Sequence, residues 1–240
     1  QAAVLPIENL KPFEGHPFKV KDDTEMEQLI LSIRTQGLLT PIAVRPIENN
    51  EYEVISGHRR LHACKKAGID TVPALIYALD RDVATIAMVD SNLHREKILP
   101  SEKAFAYKMK MDALNHQGQA YGQIGHKSRD SISQTDSGRQ VQRYIRLTHL
   151  IKPLLQLVDE KQIALSPAVE ISYLTEDEQY DLMEAIEQEV CTPSHAQAIR
   201  MRKLSAEGKL FTVYRSKNNN RVIIFCLNGI NHLAQLIRSG

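Results

Sequence analysis

The sequence predicts an α+β N-terminal domain, an all-α helix-turn-helix domain after it, and a small C-terminal ββα element. Three observations point there. Strand-like segments alternate with helix signals up to about residue 98; strand signals then vanish until Gly208; and a basic two-faced helix lies within the helical stretch. The expected divisions are residues 1–98, 99–207 and 208–240.

Each element has its own signal. Thr24-Glu25-Met26-Glu27 reads as a capping box, Met26, Leu29, Ile30 and Ile33 share one helical face, and Gly37 supplies a stop, so a helix spans about 25 to 36. Ile42 to Arg45 and Tyr52 to Ile55 flank a polar Glu48-Asn49-Asn50 turn and read as a hairpin ending at Ser56-Gly57. A short helix from His58 to Ala67 stops at Gly68, Thr71 to Tyr77 is a further strand, and Asp80 caps a helix reaching Asn92. Pro100 suits the first turn of a helix over Ser101 to Asn115. Between Ile151 and Glu207 about three more helices are expected, starting near Ser166-Pro167, Thr175 with Glu178, and Thr192-Pro193-Ser194. Beyond Gly208, Leu210 to Tyr214 and Val222 to Leu227 flank Lys217-Asn218-Asn219-Asn220 as a second hairpin, and Leu227 to Arg238 reads as a closing helix.

Composition narrows the classes. With 240 residues, 42% of them hydrophobic and 25% charged, the chain fits a globular protein with real cores. It holds no apolar run long enough to cross a bilayer, so a cytoplasmic location and no membrane partner are expected. Cys64, Cys191 and Cys226 are odd in number and lack paired spacing, which argues against disulfides or a zinc site. The net charge of +1 gives no global pull toward polyanions. The positive field is local: from His126 to Lys152, the basic Lys127, Arg129, Arg139, Arg143, Arg146 and Lys152 face only Asp130 and Asp136.

Two segments carry the chemistry. At Ser56-Gly57-His58-Arg59-Arg60 a strand turns into a helix; Gly57 lets a ligand approach the backbone, and the first helical N–H groups favour an anion. Arg59 and Arg60 add two permanently charged forks suited to phosphate, with Arg95, after Asn92, as a third. The plainer alternative pairs Arg59 and Arg60 with Asp70 and Glu53. His58 and His62 lie one turn apart, but no third ligand for a metal is evident near them. In the second segment, Arg139, Gln142, Arg143 and Arg146 line one helical face while Val141, Tyr144 and Ile145 occupy the other, with no acid from Ser137 to Leu157. Asp130 to Thr135 would supply the preceding short helix and Asp136-Ser137-Gly138 the turn, the spacing of a helix-turn-helix. Candidate DNA contacts are therefore Lys127, Arg129, Ser137, Arg139, Gln140, Gln142, Arg143 and Arg146. An ordinary solvated helix face is the alternative.

Taken together, His16-Pro17-Phe18, the block from Ser32 to Pro46, the Gly57-His58-Arg59-Arg60 box, Ser91-Asn92-Leu93-His94-Arg95 and the helix-turn-helix resemble the ParB/RepB/Spo0J family of DNA-partition proteins, in its plasmid or mobile-element form. The resemblance implies a ParB/sulfiredoxin-like N-terminal fold that binds CTP with magnesium, a centromere-like double-stranded DNA site, a C-terminal homodimer element and a ParA-type ATPase partner. It carries nucleotide-binding roles onto Gly57, His58, Arg59, Arg60, Asn92 and Arg95, with Asn92 also toward the metal. His58 and Ser91 stand where the family has Glu, and Asp90 is one residue out of place. A Ser hydroxyl neither neutralises a cation nor activates water well, so CTP hydrolysis is doubtful even where binding persists. The rival readings are a helix-turn-helix transcription regulator with a non-hydrolysing ParB-like domain, a ParB-fold nuclease, and a sulfiredoxin-like enzyme. The last lacks its Cys, since Gly57 is followed directly by His58.

Overall fold

Five short strands, β1 (Ala2–Pro6), β2 (Leu10–Pro12), β3 (Ile42–Pro46), β4 (Tyr52–Ser56) and β5 (Thr71–Ile76), pair in the order β1-β5-β3-β4-β2. The computed structural model describes residues 1–95, 97–121 and 136–208. These form two units, Gln1–Ile98 with Phe105–Gly138, and Leu99–Ala104 with Arg139 onward.

In the first unit β3 and β4 form the expected antiparallel hairpin, with Val44 opposite Val54 and Arg45 opposite Glu53. β5 joins β3 in parallel, β1 adds antiparallel to β5, and β2 adds parallel to β4. The sequence reading missed β1 and β2, which are short edge strands. Strand alternation buries Ile42 and Val44 against Leu61, Ala63 and Cys64 of α2 (His58–Ala67) and Met26 and Ile33 of α1 (Thr24–Gln36).

The start of α1 differs from expectation. Asp23, not Thr24, is its N-cap and accepts a hydrogen bond from Met26 N at 2.9 Å. A carboxylate there interacts with the helix dipole as well as capping it, so Thr24 becomes the first helical residue. A second cluster, Phe13, Phe18, Ile55 and Ala106, packs against Ala84, Met88 and Val89 of α3 (Arg81–Leu93). Asp80 caps α3 as predicted, accepting from Val83 N at 2.8 Å. α4 (Pro100–Tyr121) runs past the predicted end at Asn115, through Gly118.

The second unit is helical: α5 (Gly138–Arg146), α6 (Lys152–Asp159), α7 (Leu165–Ile171), α8 (Glu176–Glu189) and α9 (His195–Ala206). After Ile151 there are four helices rather than three, because Pro153 occupies the first turn of α6, where its missing N–H costs nothing. α7 starts one residue before Ser166. Thr175 with Glu178 and Ser194 with Gln197 form full capping boxes, so the predicted starts of α8 and α9 stand. Leu147, Leu154, Ile171, Leu182 and Ala198 are enclosed in one core. Gln179 is buried within it and satisfies three backbone groups: Oε1 accepts from Ile151 N, and Nε2 donates to His149 O and Leu174 O. The predicted helix Asp130 to Thr135 and the hairpin and helix after Gly208 lie outside the described residues.

Candidate functional site

The strand-to-helix junction at Gly57 is built as its sequence requires. Gly57 sits at φ 107° and ψ 22°, in the left-handed region, and offers α2 no capping side chain. The first N–H groups of α2 are thus left for an anion. A Cβ at Gly57 would lie 2.8 Å from Ile42 Cγ2 and 3.1 Å from Arg60 Nη2, so this junction admits only glycine.

The two arginines take different roles. Arg59 lies 3.2 Å from Asp23 Oδ1 and 3.5 Å from Glu25 Oε2, an ion pair at the mouth of the loop. Arg60 turns inward and donates to Thr40 O at 2.8 Å and Pro41 O at 2.6 Å, with no carboxylate partner among the described residues. Its positive charge therefore meets only carbonyl dipoles. Burial lowers the Arg60 pKa from its ordinary value, and burial beside it raises that of Cys64. The predicted alternative partners are not used. Glu53 is buried and held instead by Arg45 at 2.7 Å and Arg81 at 3.0 Å, and it accepts from Glu14 N at 2.9 Å. Arg81 also lies over the Phe13 ring at 4.8 Å. This cluster around the buried Glu53 fixes the chain at Phe13-Glu14, just before His16 and Phe18. Nothing in the sequence distinguished these charges, set 8 and 28 residues apart, from solvated ones.

His58 is the first residue of α2 and is buried. Its Nε2 accepts from Phe13 N at 3.2 Å, and its ring stacks on His16 with centroids 3.7 Å apart. Burial, with smaller contributions from the His16 and Arg95 charges, pushes its pKa down to about 3. Burial likewise holds His16 at about 4, and its Nε2 finds no hydrogen-bond partner. Both rings are neutral at physiological pH. His62, one turn along from His58, faces away from it, its Nε2 lying 2.8 Å from Asp22 Oδ1. The contact between His16 and His58, 42 residues apart, had no sequence signal.

Asn92, near the end of α3, is buried; its Nδ2 donates to Met88 O at 2.7 Å and to Ser91 Oγ at 3.2 Å. Arg95 lies 5.6 Å from the Phe18 ring centroid, which brings the second motif to the His16 loop. These residues fit a phosphate-bearing nucleotide: an uncapped helix start, a glycine junction and three guanidinium groups. They do not fit magnesium. The family's two acidic positions hold a buried imidazole and a hydroxyl, Asp90 is paired with Lys110 at 2.5 Å, and no group of three His, Cys, Asp or Glu side chains suits a metal among the described residues.

The second candidate surface is α5. Val141 and Leu147 are fully buried, and Tyr144 packs on the same core. Arg139 is exposed, and Gln140 and Gln142 are partly exposed. Arg143 donates to Ser166 Oγ at 2.6 Å and to Gln140 Oε1 at 3.2 Å. Arg146 donates to Ser172 Oγ at 3.1 Å and Ser172 O at 2.7 Å, and lies 3.9 Å from the Tyr173 ring, whose other contact is Arg202 at 3.7 Å. Two of the four predicted face residues are therefore braced against the α7 region. Ser137 is exposed just before α5, and Lys127 and Arg129 lie outside the described residues.

With the geometry in place, comparison with known proteins assigns a family. The ParB N-terminal domain family matches residues 1–93. The chain is 31% identical over 235 residues to nucleoid occlusion proteins of Bacillus thuringiensis (strain Al Hakam) and Bacillus cereus (strain AH820), which covers 97% of this chain and 77% of each relative. Among solved structures it is similar to the C-terminally truncated chromosome-partitioning protein ParB from Caulobacter crescentus complexed to the centromeric parS site, at 21% identity over 85% of this chain and 99% of that one, with a TM-score of 0.46. The near-full-length likeness to the nucleoid occlusion proteins and the match over the first domain show that the chain belongs to the ParB family.

Proposed function

We propose that this chain is a sequence-specific DNA-binding protein that marks sites on the nucleoid, with CTP at the start of α2 controlling whether its N-terminal domains close around DNA. The observation that carries the DNA half is α5 itself: an acid-free helix whose Val141 side is sealed in a core while Arg139 stands exposed beside Gln140 and Gln142. Arg and Gln at such positions can read guanine and adenine edges, and the braced Arg143 and Arg146 set the helix orientation while keeping their charge near a duplex backbone. The CTP half rests on the Gly57 junction with Arg59, Arg60, Asn92 and Arg95. Likeness to nucleoid occlusion proteins over 97% of this chain favours a chromosomal role over the plasmid-specific partition expected from the sequence. We assign homodimerisation to residues 208–240 and keep a ParA-type ATPase as the partner class.

The test is DNA binding over a salt series. Arg143→Ala lowers affinity and reduces the slope of log K against log salt by about one unit. Arg139→Ala relaxes sequence preference and costs about 1–3 kcal/mol at the preferred site. Wild-type affinity and slope in both variants would show that α5 is a solvated face. A second reading, a transcription regulator whose N-terminal domain holds no nucleotide, is favoured by the loss of both acidic motif positions to His58 and Ser91. Nucleotide titration separates the two.

A further inference from the structure

The following rests on the reading that a nucleotide occupies the start of α2. We propose that this chain binds the metal-free nucleoside triphosphate, with guanidinium groups and helix N–H groups neutralising the phosphates where a divalent cation would otherwise do so.

The carboxylates bordering the junction are already committed. Asp22 lies 2.8 Å from His62 and 2.7 Å from Lys66, and these contacts hold its carboxyl below the usual range. Asp23 pairs with Arg59 and caps α1, and its carboxyl is held low by the same two contacts. Glu53 lies between Arg45 and Arg81, and Asp90 pairs with Lys110. His58 has one lone pair outside its ring system when neutral, on Nε2, and the Phe13 N–H occupies it. Ser91 Oγ donates to Met88 O. Magnesium is normally held through one or two carboxylates together with phosphate oxygens, and here, among the described residues, the neutral Asn92 Oδ1 and Ser91 Oγ remain near the second motif.

The cations are arranged in the opposite sense. Arg60 carries its charge against two carbonyl oxygens and, among the described residues, no acid. Arg59 lies on the adjacent turn position, and Arg95 is set over Phe18. A guanidinium binds the same non-bridging oxygens that a metal would occupy, through two parallel N–H bonds. A triphosphate stripped of its metal is more anionic and leaves those oxygens open. Without a metal or a carboxylate to activate water, the nucleotide acts as a ligand released by dissociation, not by cleavage.

The experiment is calorimetric titration of the full chain with CTP, once in magnesium buffer and once in EDTA. The proposal expects affinity in EDTA to be tighter than, or within about twofold of, that in magnesium. Binding that requires magnesium overturns it and leaves the nucleotide reading intact; no binding in either buffer overturns both. Ser91 is exposed, so Ser91→Glu is accommodated without repacking and restores an acid to the second motif. That variant should lose about tenfold or more affinity on moving from magnesium to EDTA, a dependence created by the new ligand. If it matches wild type in both buffers, the missing carboxylate is not what sets the metal requirement, and the proposal falls.

Discussion

Acidification should weaken this fold through one identifiable pair of side chains. In the folded chain His58 is held at about 3 and His16 at about 4, mainly by burial, against an ordinary value of 6.5. A histidine with a depressed folded pKa leaves the unfolded chain binding more protons below 6.5, so stability is full above that value and falls as pH drops toward the folded values. At about pH 5 the unfolded His58 is almost wholly protonated while the folded ring is neutral, which costs about 2 kcal/mol. His16 is partly exposed, and discounting for solvent screening leaves about 1 kcal/mol. Urea unfolding followed by circular dichroism at about pH 7.5 and about pH 5 should thus show a loss of about 3 kcal/mol beyond that of a His16→Gln/His58→Gln protein. Comparison with the double variant cancels the other titrating groups. Equal losses in the two proteins would mean that the stacked rings are not buried and neutral, and the geometry of the junction would have to be redrawn.

Three substitutions probe the same junctions. Gly57→Ala forces a side chain into a positive φ and within 2.8 Å of Ile42 Cγ2, so it should lower stability by about 1–3 kcal/mol in a denaturant melt and abolish CTP binding. Unchanged stability would show that the junction relaxes freely. Arg60→Ala should remove CTP binding by calorimetry while costing about 1 kcal/mol or less, because water can reach the Thr40 and Pro41 carbonyls that it leaves; normal CTP affinity in a folded Arg60→Ala protein counts against the site. Arg146→Ala should lower the melting temperature as well as DNA affinity, since it removes the hydrogen bonds to Ser172 and the Tyr173 contact. A loss of DNA affinity with no change in melting would assign it a purely DNA-contacting role.

Much of the fold was legible because local chemistry and tertiary structure agree. Asp80, Thr175 with Glu178, and Ser194 announce helix starts that the caps then form, and the Ile42 to Ile55 hairpin pairs as its alternation requires. Local signals mislead where two candidates compete: Thr24 looked like the cap, but Asp23 next to it takes Met26 N and also pairs with Arg59. β1 and β2 escaped notice because each is a short edge strand whose existence depends on β5 and β4, far along the chain. The candidate site divides in the same way. Gly57 and its arginines stand out as a motif, and Val141 identified the buried side of α5. What sequence could not give are the long-range contacts that decide how those groups behave: His58 on His16, Glu53 between Arg45 and Arg81, and Arg143 and Arg146 turned toward Ser166 and Ser172. Each pairs residues whose separation carries no periodicity.

In the proposed function one polypeptide holds a nucleotide at α2 and a duplex at α5, and each ligand alters the affinity of the other. The direct measurement is the CTP dissociation constant of the full chain, alone and saturated with a DNA fragment that it selects from a genomic pool. A coupling of about fivefold or more is predicted, with the same factor appearing in DNA affinity when CTP is added. Identical CTP affinity with and without the selected DNA would contradict it.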